Sequence, residues 1–289
     1  MKQAMPSLPA SCFLAQTAIA CNNIKMKHVP ALTDPSLTTF YLAENEIAKI
    51  PAHTFLGLPN LEWLALSKNK LDTQGLHPHA FKNLTWLKYL NLDRNSLSTV
   101  PAWPDSQQEL QLNDNLLQGL QRSSFQGVVT ESVLKGSHSL SMLVFNNSRL
   151  QEDQLAPRAW IDLPPQGLQC LMLHHSLIEC ISGYMFAHMK PGLGFLHLSH
   201  NRLRADGVHG MSFHGLRASL AELLLDHNHL QAIPRGHLGL KGLQVHDSNR
   251  ISAHLENNLI DQRHIIPTAF SCSQASERGP PAPAGEEGS

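Results

Sequence analysis

No run of about 18 consecutive apolar residues, the length a membrane-crossing helix requires, occurs anywhere in the 289-residue chain. Aromatic residues are scarce at 6%, and charge of either sign is not in excess: 22 basic side chains face 23 acidic ones, for a net charge of −1. Such a balance carries no electrostatic footprint for nucleic acid or an anionic lipid surface. No nucleic-acid partner and no membrane insertion are therefore expected. The chain also lacks a glycine-rich loop that could cradle phosphate. No Ser-His-Asp set and no carboxylate pair is supported by spacing, so neither catalysis nor a cofactor is expected. Cysteine is sparse at five residues, an odd number.

What the chain has is leucine at a fixed period. The pattern L-x-x-L-x-L-x-x-N-x-L returns eight times. The second copy is Leu61, Leu64, Leu66, Asn69 and Leu71, and the third is Leu87, Leu90, Leu92, Asn95 and Leu97. The seventh runs Leu193, Leu196, Leu198, Asn201, Leu203, and the eighth runs Leu220, Leu223, Leu225, Asn228, Leu230. One match means little in a leucine-rich chain, whereas a series at repeat spacing specifies a leucine-rich-repeat solenoid. The L-x-L core reads as a short strand with both leucines inward. Equivalent strands of successive repeats then pair in parallel. The expected fold is a curved α/β solenoid with a parallel concave sheet and an irregular or short-helical convex side. The asparagine sits where the chain leaves the strand, so its amide can serve backbone groups that stacking buries.

Faults interrupt the pattern. Ser148 and Ser176 replace the turn asparagine in repeats five and six. The asparagine-to-asparagine steps run 24, 26, 20, 33, 28, 25, 27 and 30, and the step of 33 marks an irregular stretch near 118–139. A second irregular stretch is expected at 243–254, where His246 and Ser248 occupy core slots. On the return limb a phenylalanine recurs, as Phe55, Phe81, Phe125, Phe186, Phe213 and Phe270, and reads as the inward anchor of the convex side. This divides the chain into an N-terminal cap (1–35), repeats (36–260), a remnant C-terminal cap (261–272) and an unstructured tail rich in Pro, Gly and Glu (273–289).

Cys12 and Cys21 precede the first repeat, a placement suited to a disulfide-closed cap; two reduced thiols are the alternative. The pairing of Cys170, Cys180 and Cys272 stays open. Lys2 followed by a mildly apolar stretch ending Ala18-Ile19-Ala20 faintly resembles a signal peptide. Ser11, Gln16 and Thr17 make a poor apolar core for one, so the segment is assigned to the folded cap, with no export signal in this form. Histidine is abundant at eighteen residues. A zinc site needs three or four convergent ligands, and His174, His175 and Cys180 have no second pair at suitable spacing, so the histidines read as scattered and no metal site is assigned.

The strand positions between and beside the inner leucines face the concave side. They carry Tyr41, Trp63, Tyr89 and Phe195 with the carboxylates Glu109 and Glu222, and their row includes Cys170. Aromatics beside carboxylates on one curved face are what a protein-binding stripe needs. Sequons occur at Asn83 and Asn146. A glycan would be harmless on the convex limb at Asn83 and obstructive on the concave edge at Asn146.

The cysteine-bearing cap, the repeats of uneven length and the closing Leu255-Glu256-Asn257-Asn258 and Ile266-Pro267-Thr268-Ala269-Phe270-Ser271-Cys272 resemble the small leucine-rich proteoglycans of extracellular matrix. The resemblance spans about residues 10–272. Two departures stand out. The family's cap carries four clustered cysteines, of which Cys12 and Cys21 match, and its C-terminal staple needs two, of which Cys272 matches. The chain thus reads as a shortened or degenerate relative. The resemblance implies a secreted, non-enzymatic scaffold whose concave face binds collagen or another matrix protein. An intracellular interaction adaptor on the same solenoid, or a truncated product without independent function, are the alternatives. An oxidised Cys12–Cys21 pair and a glycan on Asn83 would separate the first reading from these.

Overall fold

The computed structural model describes residues 8–117, 139–150, 160, 167–189, 193–216, 219–233, 251–264 and 273–274. They form one twelve-stranded sheet whose strands lie in sequence order. β1 (Phe13–Ala15) and β2 (Ala18–Ala20) are an antiparallel hairpin. Every later pairing is parallel. It passes through β3 (Thr39–Tyr41), β4 (Trp63–Ala65), β5 (Tyr89–Asn91), β6 (Glu109–Gln111), β7 (Met142–Val144) and β8 (Cys170–Met172). It continues through β9 (Phe195–His197), β10 (Glu222–Leu224), β11 (Ile251–His254) and β12 (Ser273–Gln274).

Each strand is short because only one residue of it must point inward. The central residues Phe40, Leu64, Leu90, Leu110, Leu143, Leu171, Leu196 and Leu223 are all buried. The leucine two places on, as at Leu42, Leu66 and Leu92, is buried too. No single repeat could enclose this apolar face, so each is closed by its neighbours. On the convex limb Phe55, Phe81, Phe186 and Phe213 are buried, and they stack across repeats: Phe55 on Phe81 at 6.1 Å and Phe186 on Phe213 at 6.0 Å between ring centroids. Buried Trp160 takes the same role beside Phe186, at 6.4 Å. Phe125 and Phe270 lie outside the described residues, as does Cys272. The limb itself consists of turns with short 3-10 segments such as Ala205–Gly207 and Gln262–His264. Adjacent limbs approach closely at Gly57, where an added Cβ would stand 2.1 Å from the Leu32 carbonyl oxygen.

The turn asparagines tie one repeat to the next. The Asn95 side chain accepts from the Leu71 amide (3.1 Å) and donates to the carbonyls of Leu66 (3.0 Å) and Leu92 (3.1 Å). Asn69, Asn115, Asn201, Asn228 and Asn258 repeat this pattern. At the faults the ladder thins. The Ser176 hydroxyl reaches the Phe145 carbonyl at 3.1 Å and the His174 carbonyl at 3.0 Å. The buried Ser148 hydroxyl has no hydrogen-bond partner among the described residues.

Two expectations are corrected. The stretch 243–254 is not irregular throughout, because Ile251–His254 pairs in register with β10, Glu222 opposite Ser252. Ala253 and Leu255 take the inner slots there, and Asn258 completes the turn as in other repeats. The tail does not begin cleanly at 273, since Ser273 and Gln274 pair with Ile251 and Ser252. A strand edge offers backbone donors and acceptors whatever the side chains, so polar residues can join it. The 33-residue step leaves the sheet unbroken: β6 and β7 pair directly, Glu109 opposite Met142.

The ladder makes stability predictable. Asn95→Ala strands one buried amide and two buried carbonyls, and should cost about 3 kcal/mol. Ser148→Asn supplies the missing amide and should add about 1 kcal/mol. Urea unfolding of the two variants beside the parent chain checks both; a loss below about 1 kcal/mol for Asn95→Ala would show that the ladder does not hold the stack.

Candidate binding face

Because the strands are in register, concave side chains stand in rows. One row runs Thr39, Trp63, Tyr89, Glu109, Met142, Cys170, Phe195, Glu222 and Ser252. Neighbouring strands lie about 4.8 Å apart, so row neighbours touch. Trp63 and Tyr89 do so, with ring centroids 4.6 Å apart and planes tilted by 36°. Trp63 is 40% exposed and Tyr41 36% exposed. Tyr41 belongs to the next row, opposite Ala65, and therefore stands diagonal to Trp63 rather than beside it. Glu109 follows Tyr89 in the row, its carboxylate accepting from the Gln111 side-chain amide at 2.6 Å. These four residues share one half of the face.

Phe195 and Glu222 belong to the other half. Phe195 is exposed, and Glu222 meets His197 Nε2 at 2.9 Å. Met142 and Cys170 separate the halves. The sequence reading puts Cys170 on the solvent side, but it is buried, a small side chain between the larger Met142 and Phe195 of its row. Burial, then Glu222 and Glu109, push its thiol up to about 11, so it stays protonated and is neither a nucleophile nor a ready metal ligand.

The row at the strand ends links repeats through side chain and backbone. Asp93 accepts from the Asn113 amide at 2.7 Å, Asn113 from the Asn146 amide at 2.9 Å, and Asn146 from the His174 amide at 2.8 Å. Burial raises the Asp93 carboxyl above the usual carboxylate range, against the opposing hydrogen bonds from Asn113. Asn146 thus lies on the concave edge and Asn83 on the convex limb, where its amide meets His53 Nδ1 at 3.0 Å.

A further row, which strand alternation does not reveal, lies at the turns. The residue before each turn asparagine or its equivalent adopts a left-handed backbone, at Asn23, Glu44, Lys68, Arg94, Asp114, Asn147, His175, His200, His227 and Asn257, with φ between 51° and 58°. Lys68 pairs with Glu44 at 3.0 Å and Arg94 with Asp114 at 3.3 Å. Then the row changes character: His175 stacks on His200 at 4.4 Å, and His200 on His227 at 4.1 Å. His174, one residue inward, lies 5.5 Å from His197. The signal was present in sequence as His at one fixed offset from three successive turns. The set His174, His175 and Cys180 follows sequence proximity instead of the row.

Comparison with known proteins agrees with this architecture. Residues 35–97 match the leucine rich repeat family model. Lumican of Mus musculus is 32% identical over 89% of this chain and 83% of its own length. Keratocan of Bos taurus is 29% identical over 89% of this chain and 72% of its own. Among solved structures, human 5T4 (Wnt-activated inhibitory factor 1, trophoblast glycoprotein) superposes with a TM-score of 0.56 at 24% identity, covering 88% of this chain and 82% of that one. The mouse RP105/MD-1 complex gives 0.56 at 23% identity, covering 79% and 39%. At those identities the two structures establish the fold alone.

The histidine rows predict acid sensitivity. His174 is held below its ordinary pKa by burial and then by His197, while the Ser199 hydrogen bond and Asp226 oppose, and His175 adds to the depression. His200 is lowered by partial removal from water, then by His227 and His175, against Asp226. For a histidine with a depressed folded pKa, the unfolded chain binds more protons as pH falls below about 6.5, so stability is whole above that value and declines below it. The urea midpoint should therefore fall between pH 7.5 and pH 5.5, and fall less in His174→Asn. An equal decline in that variant would place the proton uptake elsewhere.

Proposed function

This chain belongs to the small leucine-rich proteoglycan family, and from that premise we propose that it is a non-enzymatic scaffold holding an extracellular matrix protein, collagen or another, on its concave face. The observation that carries the reading is the Trp63–Tyr89 contact on an open surface, with Tyr41 diagonal to it and Glu109 next in the row. Two rings braced on adjacent strands lose little further freedom on binding, and such aromatic anchors dominate interface energies. Glu62 and Lys88, paired at 2.8 Å beside the rings, provide a polar margin. Phe195 and Glu222 form a second contact region farther along the same row.

Secretion follows from the same reading. The Cys12–Cys21 disulfide joins Cα atoms 4.5 Å apart and is consistent with an oxidising compartment. Cys12 and Cys21 are both buried in the common core, and β2 pairs directly with β3, so the hairpin closes the first end of the stack. No helix among the described residues is long and apolar enough to cross a membrane.

Two measurements test this. In surface plasmon resonance on immobilised collagen, Trp63→Ala should weaken binding by about thirtyfold, the equivalent of about 2 kcal/mol, and the triple alanine variant at Tyr41, Trp63 and Tyr89 should remove it. Convex Lys82→Ala should bind as the parent does. Binding unchanged in the triple variant would rule out this face. When the chain is expressed through the secretory pathway, Asn83 should carry a glycan and Asn146 should not. Peptide mapping after glycosidase treatment reads this directly, and occupancy at Asn146 alone would reverse the assignment.

A further inference from the structure

The three consecutive imidazoles of the left-handed row stand beside a carboxylate, and from this we infer that His200, Asp226 and His227 form a binding site for a divalent transition metal of the zinc class. One ligating atom from each residue lies within 4.8 Å of the other two. In a tetrahedral zinc site, with metal–ligand distances of about 2.0–2.2 Å, neighbouring donors stand about 3.3 Å apart. Side-chain rotation alone closes that difference, since His200 and His227 are exposed and their backbone positions are one strand spacing apart.

Asp226 is prepared for the role. Its carboxylate accepts from the Ser199 hydroxyl and meets His227 Nδ1 at 2.8 Å. Burial works to raise its pKa but the hydrogen bonds from Ser199 and His227 outweigh it, so it is held in the charged form. A carboxylate oriented by a hydroxyl is the outer-shell support that metal ligands ordinarily have. Two imidazole nitrogens and one carboxylate oxygen suit zinc, with a fourth position left for water or for His175, which stacks on His200.

The row itself sharpens the argument. Elsewhere it holds opposite charges together, Glu44 with Lys68 and Arg94 with Asp114. At His175, His200 and His227 it instead holds three stacked imidazoles, which offer ring nitrogens in place of charged pairs.

The test uses the purified full chain and zinc ion alone, titrated calorimetrically near neutral pH against an indicator of known zinc affinity. One zinc per chain should bind saturably. His200→Ala and His227→Ala should each lower the affinity by about tenfold or more, and Asp226→Asn by a smaller factor. Convex His209→Ala should leave it unchanged. Because a variant can fail to fold, the parent chain is also treated with a histidine-acylating reagent: zinc should protect His200 and His227 and leave His209 reactive. Absence of saturable uptake, or equal affinity in the His200/His227 double variant with no protection of either ring, would overturn the site.

Discussion

The structure depends on how a repeat satisfies backbone groups that its neighbours have buried. At each regular turn one asparagine side chain accepts from an amide of the preceding repeat and donates to carbonyls of both repeats. No shorter polar side chain spans those distances in both directions. Leucine burial supplies the driving force for stacking, but that force is non-directional. The asparagine bonds convert it into a fixed register, because a strand displaced by one residue would leave the same groups unpaired.

From this register everything on the concave surface follows. Side chains at one offset from the turn become a continuous row, so chemistry repeated in sequence becomes chemistry adjacent in space. Trp63 and Tyr89 are in contact for that reason, and so are Glu44 with Lys68 and the rings of His175, His200 and His227. The aromatic pair and the histidine stack occupy different halves of the sheet, with Ser148 in a repeat between them and Ser176 directly after His175. The solenoid thus carries two chemically distinct surfaces, one aromatic with carboxylates and one rich in imidazole. Both are positioned by the same ladder.

The weak links coincide with the serines. Ser176 reaches two carbonyls where an asparagine would also serve an amide, and Ser148 reaches none among the described residues. The sheet nevertheless passes through β7 and β8 without a slip. Flanking repeats with intact asparagines hold the register across the fault, as expected where stability is shared between neighbours. The buried Cys170 lies on this same stretch, a small side chain between Met142 and Phe195 in its row.

The sequence by itself determined the fold class, the strand positions from residue 39 to residue 224 and the inward leucines and phenylalanines, because a period of leucine with asparagine leaves one way to bury the apolar face. It also placed Tyr41, Trp63 and Tyr89 on the concave side, since alternation along a strand is a local property. It missed β11, where Ala253 stands in a slot that leucine fills elsewhere, and β12, whose pairing uses backbone alone. Only the tertiary structure decided which exposed residues touch. The contact between Trp63 and Tyr89, the diagonal place of Tyr41, the burial of Cys170 and the convergence of His200, Asp226 and His227 all depend on register between repeats 20 to 33 residues apart. That register is a long-range property of stacked turns, which separation along the chain does not encode.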